Sequence, residues 1–136
     1  MSGRNRLRSR ADFSRVTRSG ARTSGPALVV HVLAPGGDEV PRVGFAVGRS
    51  IGPAVVRNRT KRRLREAVRP LLDLMVACDV VVVARPPVVA QTVAELARAL
   101  EAAFAAAGAL VGRPDGGVGG TMGAQPPPDV TEGTSS

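Results

Sequence analysis

Apolar positions change their period several times along the chain, and each change marks an element. In residues 10–18 (RADFSRVTR), Phe13 and Val16 stand three apart after Asp12, which predicts a short helix closed by Gly20. Residues 21–26 are rich in Thr, Ser, Gly and Pro and read as a turn-rich connector. Residues 27–34 (ALVVHVLA) are almost all apolar, many of them β-branched, which predicts a strand covered on both faces, and Pro35-Gly36-Gly37-Asp38 then turns the chain. In residues 42–48 (RVGFAVG) Val43, Phe45 and Val47 alternate with Gly44, Ala46 and Gly48. The large side chains share one face of this second strand, and the small ones on the other allow a helix or a ligand to approach the backbone.

Gly52-Pro53 is a helix-start signal, and from residue 54 the period becomes helical. On a helical wheel Val56, Thr60, Leu64, Ala67, Val68 and Leu71 occupy roughly a third of the circumference, the width of a core-facing stripe. Asn58, Arg59, Lys61, Arg62, Arg63, Arg65 and Arg69 take the opposite arc. Pro70 predicts a break, with residues 71–76 as a short continuation. Residues 79–85 (DVVVVAR) form a third strand buried on both sides, ended by Pro86-Pro87. Thr92 and Glu95 have capping-box spacing ahead of a helix whose stripe is Leu96, Leu100, Ala103, Phe104 and Ala107, and Gly108 suits its C-terminal end. Residues 112–136 are a Gly/Pro/Ser-rich stretch with too little apolar surface to offset ordering, hence a disordered tail after one domain spanning 1–111.

Charge sharpens this pattern. Residues 1–69 hold 16 basic against 4 acidic side chains and residues 70–136 hold 3 against 7, so a net +8 chain is +12 in its first half and −4 in its second. Seven of the cations fall between Arg57 and Arg69, opposed there only by Glu66. A helix anchored on one side and cationic on the other attracts a polyanion, an RNA in the first instance. Eighteen of the nineteen basic residues are Arg, and the abundance of Ala, Gly and Val favours codon bias in a GC-rich genome over selection for guanidinium forks as the reason.

Composition narrows the classes further. The chain has 136 residues, no Trp or Tyr and three Phe, so it supports one modest core of Val, Leu, Ile and Ala. Cys78 is the single cysteine and reads as a small buried hydrophobe in a reducing compartment. No apolar run approaches a membrane span and the basic N-terminus is not followed by a signal-peptide core, so a soluble, cytoplasmic protein without membrane contact is expected. His31 is the only histidine, and the carboxylates at Asp12, Asp38, Glu39, Glu66, Asp73 and Asp79 are scattered. Neither a His-based acid–base pair nor a two-metal carboxylate site is evident, so no catalytic residue and no metal ligand is expected in this chain.

The predicted order is helix, strand, strand, basic helix, strand, helix. Within it, RVGFAVGRSIGPAVVRNRTKRRLREAVR resembles the signature of the protein subunit of bacterial ribonuclease P, through Gly44, Gly52, Ala54, Val55, Arg57, Asn58, Arg59, Lys61, Arg62 and Arg65. The likeness continues into RNRLRSRADFSRV upstream and DVVVVARP downstream, covering about residues 4–108. It implies an α+β fold, a two-layer sandwich of order α-β-β-α-β-α whose small sheet has a left-handed crossover through the basic helix. Most parallel crossovers have the opposite hand. It also implies a subunit of a Mg²⁺-dependent endoribonuclease that removes the 5′ leader of precursor tRNA, with catalysis carried by the RNA subunit and Mg²⁺ held mainly by that RNA.

Residue by residue, the resemblance implies contacts with the catalytic RNA by Arg57, Asn58, Arg59, Lys61, Arg62 and Arg65, extended by Arg69 and by Arg49. Arg49 and Ser50 replace a Lys-Lys pair frequent in the family. Phe13, His31, Arg10 and Phe45 are expected at a cleft that receives the single-stranded leader, where aromatic faces stack on bases. An ordinary core Phe13 and a merely packed His31 are the alternatives. His31 stands where some relatives carry Tyr, and Thr17 and Leu28 where relatives often have Phe. Arg4, Arg6, Arg8 and Arg10 belong to a basic arm of the kind often disordered when free, adding diffuse phosphate contacts. The alternative function is a ribosomal-protein-like general RNA-binding module.

Overall fold

The computed structural model describes residues 3–111, and the tail expected at 112–136 lies outside them. Three helices, α1 (Arg10–Ser19), α2 (Ala54–Val68) and α3 (Val93–Ala106), accompany four strands, β1 (Ala21–Ser24), β2 (Leu28–Leu33), β3 (Arg42–Ala46) and β4 (Asp79–Ala84). Single turns of 3-10 helix occupy Gly3–Asn5, Arg49–Ile51 and Pro86–Ala90, and a longer one Arg69–Leu74. The sheet order is β1-β2-β4-β3, antiparallel except for the β3/β4 pair, which α2 connects.

The architecture is the expected α+β sandwich with one more strand. Residues 21–26 were expected to be a connector, yet Ala21–Ser24 pairs with β2 from Ala21 opposite Val32 to Ser24 opposite Val29. No apolar alternation announces β1, because it is a largely exposed edge strand whose gain is backbone hydrogen bonds to β2. The second strand is shorter than residues 42–48 and ends at Ala46.

The local signals explain the helices. Ser9 Oγ accepts from the Asp12 N–H at the start of α1, and Thr92 and Glu95 form both bonds of a capping box on α3. Gly52, with φ of +145°, makes the turn into α2 that a residue with a Cβ rarely adopts. At the other end Pro70 stops α2 at Val68 and the chain tightens into the 3-10 turn over Arg69–Leu74.

Two cores sandwich the sheet. On one face Leu28, Val30, Val32, Val43, Val80 and Val82 meet Leu64, Val68, Leu96, Leu100 and Phe104 from α2 and α3. Each such side chain contributes about 1.5–3 kcal/mol on burial. On the other face α1 sets Val16 against Val81, with Leu7 beneath and Phe13, Leu33 and Val83 at the margin. This second core is small. Polar interactions reinforce it at the start of β4, where Asp79 is wholly buried.

Asp79 accepts from Arg42 Nε at 2.9 Å and Arg42 Nη2 at 2.8 Å, from Arg15 Nη2 on α1 at 2.6 Å, and from the Gly37 N–H at 3.1 Å. One carboxylate thus ties α1, the β2–β3 loop and two strands. Burial alone would raise its pKa, but the bonds from Arg42, Arg15 and Gly37 outweigh that and hold it below its ordinary value. Cys78 next to it is buried and unreactive, its thiol pushed up to about 11 by burial and by the Asp79 charge.

Asp79→Asn should lower unfolding free energy near neutral pH by about 3–5 kcal/mol, because two guanidinium groups lose their buried counter-charge. Since the folded pKa lies below the unfolded one, near 3.9, the carboxylate's contribution is complete above that range and fades as pH falls through the folded value. Urea denaturation should therefore show the gap between wild type and variant narrowing on acidification; a gap that does not change with pH contradicts this role.

Candidate RNA-binding surfaces

The cationic surface depends on the way α2 is held. Thr60, Leu64, Ala67 and Val68 are buried against α3 and the sheet, and the Thr60 hydroxyl donates to the Val56 carbonyl at 2.9 Å, satisfying itself inside the apolar stripe. Asn58, Arg59, Arg62 and Arg69 are exposed, as is Arg49 in the turn before the helix. Arg57, Lys61 and Arg65 are half-buried along one flank. Among the described residues no carboxylate pairs with any of these cations.

Arg57 and Arg63 depart from the simple two-sided wheel. Arg57 sits at the edge of the core arc, and its Nε is shielded from solvent with no hydrogen-bond partner. Arg63 Nη1 points to the carbonyls of Val89 and Gln91, each at 3.4 Å, bracing α2 against the turn that precedes α3. The free charge is therefore narrower than the run of seven suggests.

On the opposite side of the sheet, the four expected cleft residues do not all meet. Phe13 is half-buried and lies over Gly44: a Cβ there would overlap the Phe13 ring and come within 2.9 Å of the Leu7 carbonyl oxygen. His31 is paired across strands with Val81, whose side chain belongs to the α1 core, and with Arg22 on β1. It is only 9% exposed, and its Nδ1 has no partner. Burial and then the Arg22 charge lower its pKa, so it is neutral at neutral pH. Arg10 is exposed at the first position of α1.

Phe45 does not join this group. As the residue after Gly44 in an extended strand it faces the other way and packs on the α2/α3 core. Leu28 lies in that core as well, so its departure from the family pattern concerns packing rather than the cleft.

Sequence reasoning missed two features here. The Arg15–Asp79–Arg42 cluster joins residues 64 and 37 positions apart, which no spacing rule detects; the only signal was a lone carboxylate heading the all-Val strand. The basic arm is also tied to the sheet. Leu7 is 4% exposed and its N–H donates to the Val43 carbonyl at 3.2 Å, while Asn5 Nδ2 donates to the Pro41 carbonyl at 2.8 Å.

A two-faced sheet with a core-anchored cationic helix on one side and α1 on the other defines a small α+β module with a basic surface. The ribonuclease P family model matches residues 1–108, and the chain belongs to the ribonuclease P protein family. Among similar proteins, the ribonuclease P protein component of Symbiobacterium thermophilum is 45% identical, over 77% of this chain and 92% of that one. That of Thermobifida fusca is 41% identical over 78% of each. The Staphylococcus aureus RNase P protein structure superposes with a TM-score of 0.66 at 30% identity, covering 72% of this chain and 90% of that chain. The Thermotoga maritima RNase P protein gives 0.64 at 27% identity, covering 72% and 93%. Proteins of this family are part of the ribonuclease P holoenzyme, which processes the 5′ end of tRNA.

Arg62→Ala should reduce the salt slope of RNA affinity by about 0.7–0.9 if this side chain neutralises one phosphate. Arg63→Ala should leave the slope unchanged and lower stability instead, because its guanidinium is turned to backbone carbonyls. Binding titrations across a salt series separate the two.

Proposed function

We propose that the exposed cations of α2 bind the catalytic RNA of ribonuclease P, while the α1 side of the sheet receives the 5′ leader of precursor tRNA. The observation that carries this reading is a helix fixed to a core along one stripe and displaying Arg59 and Arg62, with Asn58 beside them and Arg69 in the turn that follows, to solvent without counter-charges among the described residues. Such a surface exchanges condensed counterions for fixed guanidinium groups, a sequence-independent gain that suits a folded RNA. Arg49 extends it at the helix start, and Lys61 and Arg65 supply its half-buried flank.

Phe13 and His31 supply the second surface. A half-buried ring over a strand with no side chain at Gly44 offers its open part as a platform on which any base can stack, consistent with leaders of varied sequence. His31 is a neutral imidazole beneath α1 whose unused Nδ1 has hydrogen-bonding capacity for a base edge.

Mg²⁺ belongs to the RNA in this reading. Among the described residues no three His, Cys, Asp or Glu side chains gather as a metal site, and both oxygens of Asp79 are committed to arginines. The protein contributes binding and orientation, raising the local concentration of substrate at an RNA active centre. The cytoplasm, where precursor tRNA is processed, is the proposed compartment; no described helix is long and apolar enough to cross a membrane.

Reconstitution with the cognate catalytic RNA at low Mg²⁺ tests the assignment. The protein should increase the rate of leader removal and the affinity for leader-bearing tRNA. RNA binding with no gain in either quantity would instead mark a general RNA-binding module.

A further inference from the structure

Residues 4–10 (RNRLRSR) alternate arginine with smaller or apolar side chains, and the structure gives that alternation a direction. Arg6 bridges in parallel to Val43, so the arm adds a short run of backbone pairing at the outer edge of β3. Leu7 turns inward onto Val16 and Val81. Alternate residues of an extended chain point to opposite sides, so the inward Leu7 sends Arg6 and Arg8 outward, and both are exposed, as is Arg10. The arm is fixed on either side of Arg6 and Arg8, by Asn5 on the Pro41 carbonyl and by Ser9 as the cap of α1.

Arg4 stands 3.7 Å from Asp38, but among the described residues Arg6, Arg8 and Arg10 pair with no carboxylate. The arm also adjoins the aromatic: the Leu7 carbonyl and the Phe13 ring both crowd the position where a Cβ of Gly44 would be. Exposed cations on an arm tied down beside a half-buried ring are the two ingredients of a single-strand binding site, charge for the backbone and a platform for a base.

We propose that Arg6, Arg8 and Arg10 form a pre-arranged phosphate track for the single-stranded RNA that enters the α1 cleft, with a base of that strand resting at Phe13. The inference rests on the cleft reading above and adds the surface that would hold the strand's backbone. Shielding of the β3 edge from other strands is the competing explanation for charge at this place, and it requires no RNA.

The test uses the reconstituted holoenzyme with leader-bearing precursor tRNA, mature tRNA and the catalytic RNA alone. The Arg6→Ala/Arg8→Ala double variant should lower affinity for leader-bearing tRNA and reduce its salt slope by about 1.4, at about 0.7 per single-strand phosphate contact. Affinity for mature tRNA and for the catalytic RNA should not change. Leu7→Ala keeps every arginine but loosens the arm, and it should also weaken leader-bearing tRNA selectively. Equal losses for mature tRNA, no loss in the double variant, or unchanged leader affinity in Leu7→Ala would each overturn the track. A wild-type holoenzyme with no preference for leader-bearing over mature tRNA would overturn the cleft reading itself, whatever the arm does.

Discussion

The arrangement of α1 depends on one buried carboxylate. The core beneath α1 is small, with Leu7, Val16 and Val81 as its fully buried members. Asp79 supplements it by drawing Arg15 of α1 and Arg42 of β3 to a single point at the head of β4. A lone buried charge would be costly, but a bidentate guanidinium, a second guanidinium and a backbone N–H satisfy this one. Geometry follows from that point. With Arg15 fixed, Phe13 lies over Gly44, and the helix ends at Gly20, where a Cβ would meet the Val16 and Val32 carbonyl oxygens at 2.6 and 2.8 Å.

The sheet then separates two surfaces. Its α2/α3 face carries most of the apolar burial and so can support a helix whose other side is crowded with like charge. Self-repulsion among Arg59, Arg62, Arg65 and Arg69 opposes helix formation, and the buried stripe of Thr60, Leu64, Ala67 and Val68 compensates through packing. The α1 face is thinner and less charged on its helix, and its aromatic and imidazole groups suit contact with individual bases rather than with a folded RNA backbone. Because the arm pairs at the β3 edge, the cationic character continues from the sheet edge to the start of α1.

Much of this was legible in the chain. The Gly52-Pro53 start, the apolar stripe of α2, the stop at Pro70 and the Thr92–Glu95 box are local signals, and local signals survive folding unchanged. The ordered signature around Arg57, Asn58 and Arg59 carried the family. What stayed hidden is non-local or faintly patterned. β1 exists because β2 offers it a ladder, the Asp79 cluster joins three distant segments, and Leu7 is one apolar residue among arginines whose anchoring depends on Val16 and Val81. Phe45 shows a different limit: its alternation with Gly44 was visible, yet assigning it to the cleft with Phe13 placed two opposite faces of one strand on the same side. Arg63 and Arg57 likewise cannot be told from their neighbours until the carbonyl partners of the one and the burial of the other are seen.

The claim that the two faces meet different RNAs is most directly tested by site-directed cross-linking. The native thiol at Cys78 is fully buried, so a single introduced cysteine can carry the reagent. Thr17→Cys on the exposed side of α1 and Glu66→Cys on the exposed side of α2 would be compared in the assembled holoenzyme with precursor tRNA. The α1 probe should mark the leader and the α2 probe the catalytic RNA. Both probes marking the same RNA segment, or the α1 probe marking only catalytic RNA, would contradict the claim.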